Sequence, residues 1–168
     1  MTDSTTPEFV DALNELDVTL SRTTPESCDA AVAEAVVGDT VGVPLQGDLD
    51  LPESVRTDPT NGDMESADTG VTPATFGIAE TGSVYLKADR PGTEPISLYP
   101  YRHVAVLREA DLVPDVTAAV DRVGPELRDG DSGIIATGPS ATADMGELVV
   151  GAHGPGEVHV VLVEEASA

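Results

Sequence analysis

The sequence predicts a single α/β domain built on a mostly parallel sheet that is covered on both faces. Three observations predict it. Short runs rich in Val, Ile and Leu recur at 83–87, 103–107, 133–137 and 158–163; strands so continuously apolar belong in a sheet buried on both sides. Helical patterns fall between such runs, and strands alternating with helices argue a parallel arrangement. The length of 168 residues suits one domain, able to bury roughly 70% of its unfolded surface. No internal repeat or domain boundary shows, so residues 1–168 read as one unit.

Each element has its own signal. Thr6 reads as an N-cap, Pro7 as the first helical residue and Glu8 as an acid favoured by the helix dipole. Phe9, Leu13, Leu16 and Leu20 follow at helical spacing, which makes 1–22 an N-terminal helical segment. Thr24-Pro25-Glu26 repeats the start signal, with Cys28, Val32 and Ala35 as the inner stripe and Gly38 as the stop. Thr40 to Leu45 reads as a short strand. From 46 to 68 the pattern dissolves into Asp, Pro, Gly and Thr, an acidic loop that is either a lid or a solvated excursion. Pro114-Asp115 opens the cleanest amphipathic helix, with Val116, Val120, Val123 and Leu127 predicted inward.

The core material is small and branched: two Phe, three Tyr and no Trp against 40% apolar residues overall. Thirty-one acids oppose eight Lys and Arg, a net charge of −23, and Lys87 is the only lysine. Such charge repels itself, and at about 1 M salt a Debye length of roughly 3 Å removes most of that repulsion. Acids spread along the whole chain, between recurring hydrophobic runs, therefore read as adaptation to concentrated salt rather than as a disordered tail. The charge argues against nucleic acid and anionic membrane as partners. No apolar stretch approaches the ~18 residues of a membrane span, and Met1-Thr2-Asp3-Ser4 lacks the features of a signal peptide, so a cytoplasmic protein is expected. Cys28 stands alone; it permits no internal disulfide, supplies one thiolate where a cluster normally takes about four, and reads as a small buried hydrophobe.

Four segments carry residue types suited to chemistry. In Thr72–Ser83, Glu80, Thr81 and Ser83 surround Gly82, which either permits close backbone approach to a ligand or serves a turn at positive φ. In Ser97–His103, the Tyr99, Tyr101, Arg102 and His103 group offers an Arg–His pair to a carboxylate, with His103 equally suited to a structural hydrogen bond. In Thr137–Asp144, Gly138 and Pro139 turn the chain after a strand and Ser140 reads as the N-cap of a helix, whose N–H groups either bind an anion or are simply capped, with Thr142 and Asp144 solvating the first turn. In Gly151–Gly156, His153 sits in a turn as a candidate acid–base group, whereas His159, inside the last strand, reads as structural. No metal-ligand spacing, Walker loop, G-x-G-x-x-G or G-x-S-x-G occurs.

In order, Ala79-Glu-Thr-Gly-Ser83, Ser97-Leu-Tyr-Pro100 with His103, Gly138-Pro-Ser-Ala-Thr-Ala-Asp144, and His153-Gly-Pro155 before a Val-rich strand resemble the LUD-domain family over roughly residues 30 to 164. The resemblance implies a three-layer α/β/α, Rossmann-like fold of the NagB/RpiA/CoA-transferase group. It implies a part in oxidising lactate to pyruvate beside partner subunits that carry iron–sulfur clusters, this chain having no cofactor of its own. Glu80 and His153 would then act on the substrate, a small carboxylic acid held by Thr81, Gly82, Arg102, His103, Gly138, Ser140, Thr142 and Asp144. Two alternatives stand beside this reading: a CoA-transferase-like enzyme with Glu80 as nucleophile, and a purely structural partner protein. Many family members have Arg where this chain has Ala141, and Glu where it has Gly146, which removes the best bidentate partner for a carboxylate.

Overall fold

A computed structural model describes residues 4–144, 147–150 and 153–165, with the backbone alone for 142–144 and 147–150. In chain order, α1 (Thr5–Glu15) leads to β1 (Thr19–Thr23), and α2 (Cys28–Ala35) to β2 (Thr40–Gly42). Next, α3 (Asn61–Ser66) leads to β3 (Thr69–Pro73), which bends into β4 (Phe76–Ile78) and returns as β5 (Ser83–Lys87). Then α4 (Thr93–Leu98) precedes β6 (Arg102–Arg108), and β7 (Leu112–Val113) with α5 (Val116–Arg128) precedes β8 (Gly133–Thr137). The hairpin of β9 (Ala141–Asp144) and β10 (Glu147–Val150) comes before the last strand, β11 (Glu157–Val163).

The central sheet has five strands in the order β1-β11-β6-β3-β2, all parallel. Alternation along β6 divides the core. Val104 and Val106 face Cys28 and Val32 of α2, while Ala105 and Leu107 face Phe9 and Leu13 of α1. On that second face α4 presses on β3 so closely that a Cβ at Gly70 would stand 2.0 Å from the Ile96 carbonyl oxygen. Helices thus cover both sides of a mostly parallel sheet, and the α/β expectation holds.

The four apolar runs do not share one sheet. β5 and β8 leave the parallel sheet for a second one, ordered β7-β4-β5-β8, in which β5 runs antiparallel to both neighbours. They are continuously apolar because this sheet lies between the α1 core and α5: Val84 and Leu86 face α1, Tyr85 faces α5. Their places in the parallel sheet go to β1 and β3. The N-terminal segment is therefore not helical through residue 22; α1 ends at Glu15, Asp17 takes a positive φ of 57°, and Leu20 lies in β1. Thr6 lies inside α1, where its hydroxyl donates to Glu109 Oε1 at 2.8 Å instead of capping the helix.

Most of the 46–68 segment is exposed, as a solvated excursion would be, but it is anchored to the sheet at several points. Leu49 and Val55 enter the α2-side core, and Arg56 exchanges backbone hydrogen bonds with Thr40 and Gly42. The segment ends in α3, where Thr60 and Asp63 form a capping box. In α5, capped by Asp115, the inward residues are Ala119 and Val123; Val116, Val120 and Leu127 are exposed. Cys28 is fully buried, and burial pushes its thiol up to about 11, the behaviour of a structural residue.

Candidate functional site

At the amino-terminal rim of the parallel sheet, the turn after β8 meets the turn before β11. Ser140 N–H donates to the Pro155 carbonyl at 2.8 Å, which ties the two turns together. Gly154 makes the contact possible, since a Cβ there would stand 3.0 Å from the Ser140 Cβ. Gly156 has no room for a side chain either, because the Tyr101 ring occupies that position at 2.2 Å. Gly138 turns the chain at φ +68° against Leu16, the residue that follows α1.

These turns enclose a cavity of about 240 Å³, lined by Leu98, His103, Thr137, Gly138, Ser140 and His153 among others. Four residues singled out by sequence thus converge. His103 is buried, its Nε2 lies 2.8 Å from Thr72 Oγ1, and burial lowers its pKa to about 4. It is a neutral hydrogen-bonding group at ordinary pH, with no share in charge recognition. His153 is exposed at the mouth.

The other candidates fall elsewhere. Thr81, Ser83 and Thr137 form a hydroxyl chain with 2.7 Å steps, so the Thr81–Gly82 turn reaches the cavity wall through Thr137. Gly82 takes a φ of +64° against Ala12 and Leu16, the turn role for that glycine. Glu80 is not among the residues lining this cavity; its carboxylate accepts from Val116 N–H at 3.4 Å, at the start of α5. Arg102 and His103 do not act as a pair, because successive strand residues point to opposite faces. The Arg102 guanidinium donates to the Ala35 carbonyl and to Glu157, both at 2.7 Å. It lines an adjoining cavity of about 550 Å³ with Asp17, Thr19, Pro139 and Ala141.

No helix follows Ser140. Residues 141–144 form β9 in a hairpin, so the capped helix with its anion-binding N–H groups is absent, and Ser140 spends its own N–H on Pro155. Ser140 contributes a hydroxyl. The side chains of Thr142 and Asp144 lie outside those described. His159 is structural, with Thr19 Oγ1 and Ser21 Oγ at 2.7 and 2.8 Å from its two nitrogens, and burial, then Arg102, lowers its pKa to about 4. Tyr99 and Tyr101 are exposed.

A feature missed in the sequence lies at the opposite rim. Beyond the carboxyl ends of β3 and β6, where open α/β sheets commonly bind ligands, a cavity of about 500 Å³ is lined by Lys87, Arg108 and Arg122 with Leu45, Leu49 and Val106 among others. Arg108 pairs with Asp48 and Glu165, Lys87 with Glu126 and Asp131, and Arg122 with Asp111. The signal was readable: Lys87 and Arg108 are cations that end apolar runs in a chain holding eight. Among the described residues, no cluster of three or more His, Cys, Asp or Glu is arranged to hold a metal ion, and no helix is long and apolar enough to cross a membrane.

Comparison with known proteins places these turns in a wider group. The family profile described as "LUD domain" matches residues 48–163. Lactate utilization protein C of Oceanobacillus iheyensis is 35% identical over 105 residues, 60% of this chain and 45% of its own. The protein of the same name from Deinococcus radiodurans is 35% identical over 108 residues, 62% of this chain and 50% of its own. The chain spans about half the length of these relatives. The uncharacterized protein YkgG of Escherichia coli is 30% identical over 177 residues, 89% of this chain and 76% of its own. The crystal structure of a DUF162 family protein from Deinococcus radiodurans has the same fold, with a TM-score of 0.79 over 97% of this chain and 98% of that one, at 24% identity.

Proposed function

We propose, from the premise that this chain belongs to the LUD domain family, that it serves in lactate utilisation and holds a small hydroxy or keto acid in the amino-rim cavity. The observation that carries this reading is the meeting of Gly138, Ser140, His153 and His103, distant in sequence, around one space of about 240 Å³. That volume lies below the ~300–1,000 Å³ of drug-sized ligand sites and suits a three-carbon acid with its water.

In this reading the Ser140 hydroxyl and neutral His103 orient the acid, and His153 takes or returns the proton of its hydroxyl. Oxidation to the keto acid also breaks the Cα–H bond: its proton passes to solvent and the two electrons leave through a partner subunit bearing iron–sulfur clusters, because no side chain here accepts them. Arg102, already bonded to Glu157 and Ala35, is a rim neighbour and not the carboxylate clamp. Glu80 contacts the start of α5, which favours a local structural role over that of nucleophile or proton partner.

Isothermal titration with L-lactate and with pyruvate tests the proposal. Heat is expected with at least one of them, and Ser140→Ala with His153→Ala should weaken that binding about tenfold or more, consistent with about 1.4 kcal/mol or more of lost hydrogen bonding. Absence of heat with both ligands would replace substrate binding by a docking role.

A further inference from the structure

We infer that the face formed by α5 and the outer edge of β8 joins a second copy of this chain. The residues on it are Val116 (44% exposed), Val120 (56%), Leu127 (47%) and Ile135 (51%), half of the large apolar side chains that stand exposed among the described residues. They form one surface. Positions 116, 120, 123 and 127 share a helical stripe, of which Val123 is buried beneath α5. Ile135 is the register partner of Tyr85, which packs with Val123 and Ala119. A patch of this kind on a soluble domain marks an interaction site.

Charge selects the occupant. α5 holds two acids, Asp121 and Glu126, and two arginines, Arg122 and Arg128, while β8 holds no charge. The remaining residues therefore carry the whole net charge of −23. A basic partner would be drawn to that remainder. A second copy, repelled wherever acids face acids, meets no net charge within α5 and β8, with the acids Asp115 and Asp129 standing at the two ends of the helix.

The backbone agrees. β8 is the last strand of its sheet, bonded to β5 on one side and to no strand on the other among the described residues. Such an edge is a template for pairing. Ile135 sits at the middle of β8, so antiparallel pairing about a two-fold axis would set Ile135 beside its copy and bring the two α5 stripes alongside.

Sedimentation equilibrium of the full chain decides the matter. In about 2 M KCl, where charge repulsion is screened, a dimer is expected, with weaker association as salt is diluted. Val120→Asp combined with Ile135→Asp should raise the dimer dissociation constant at least about tenfold with an unchanged far-UV spectrum. Val37→Asp, at another exposed apolar residue (61%), should leave it unchanged. A chain that stays monomeric at about 100 µM in that salt, a dimer indifferent to the double change, or one equally weakened by Val37→Asp would overturn the inference.

Discussion

At the amino-terminal rim of the central sheet, the cavity beside Ser140 and His153 is held by backbone and hydroxyl hydrogen bonds: Ser140 to Pro155, Thr72 to His103, Ser83 to Thr137. At the carboxyl-terminal rim, the larger cavity is bordered by Lys87, Arg108 and Arg122, each engaged by carboxylates. The first relies on bonds that salt hardly touches; the second on exposed ion pairs that salt screens. In a chain with so few cations, charge pairing straps loops to the sheet, as Arg108 does for Asp48 and Glu165. At the family-bearing turns a single ion pair among the described residues, Arg102 with Glu157, stands beside the backbone and hydroxyl bonds.

The contrast can be broken in four ways. The largest effect is expected at Gly70, where any side chain meets the Ile96 carbonyl. Gly70→Ala should push α4, and with it the Leu98 wall of the amino-rim cavity, off the sheet and cost about 3 kcal/mol, read by urea unfolding. A loss under about 1 kcal/mol would mean that α4 is not keyed to β3 as described.

Next comes His103. Its folded pKa of about 4 lies below the ordinary 6.5, so the unfolded chain takes up a proton that the native state refuses. The stabilising effect is complete above the unfolded value and is progressively lost as pH falls from about 6.5 toward 4, by roughly 2–3 kcal/mol in all. Carboxylate protonation relieves self-repulsion over the same range, so the wild type must be compared with His103→Gln. Parallel pH profiles for the two proteins would contradict a buried neutral imidazole.

Salt separates the rims as wholes. Adaptation to concentrated salt predicts that raising KCl from about 0.1 to about 2 M lifts Tm by roughly 10 °C, read by scanning calorimetry. A flat titration would remove that proposal. The smallest effect belongs to Arg108→Gln. Its partners are exposed, Asp48 at 67% and Glu165 at 59% of their side chains, and such pairs contribute about 1 kcal/mol or less. The loss should shrink in high salt, with binding in the amino-rim cavity untouched. If Arg108→Gln abolished that binding, the site would have to move to the carboxyl rim.

Much of this was legible in the sequence, for reasons that also explain the failures. The runs at 83–87 and 133–137 coincide with β5 and β8, because burial on two faces leaves an unmistakable apolar run. Which sheet they join was not legible; an inner antiparallel strand and a parallel one read alike. β3 hid because Gly70, Thr69 and Thr72 are dictated by close neighbours, the α4 backbone, the Val37 backbone and His103 in turn, rather than by hydrophobicity. β1 hid because it is an edge strand of polar residues, and Leu20 continued the helical spacing by coincidence. At the site, residues in glycine turns were found, since turns advertise themselves. The helix after Ser140 was wrongly expected, because Ser after Gly-Pro opens a hairpin strand as readily as a helix. The stripe of α5 is legible as a stripe, yet of its residues only Val123 points inward and Val116, Val120 and Leu127 are exposed, for periodicity shows a face without showing what lies against it.

The position of β11 has a consequence for how the chain is made. This strand enters between β1 and β6, so β1, the first of the described strands in chain order, finds its neighbour only after residue 163 has been synthesised. Until then β1 has no partner in the sheet, and the exposed edge of β6 invites mispairing. Contacts spanning some 140 residues, such as Thr19 with His159, close late and slow the search for the native state. A nascent chain stalled before β11 should accordingly be a substrate for chaperones, while the β4–β5 hairpin and its cover could form early.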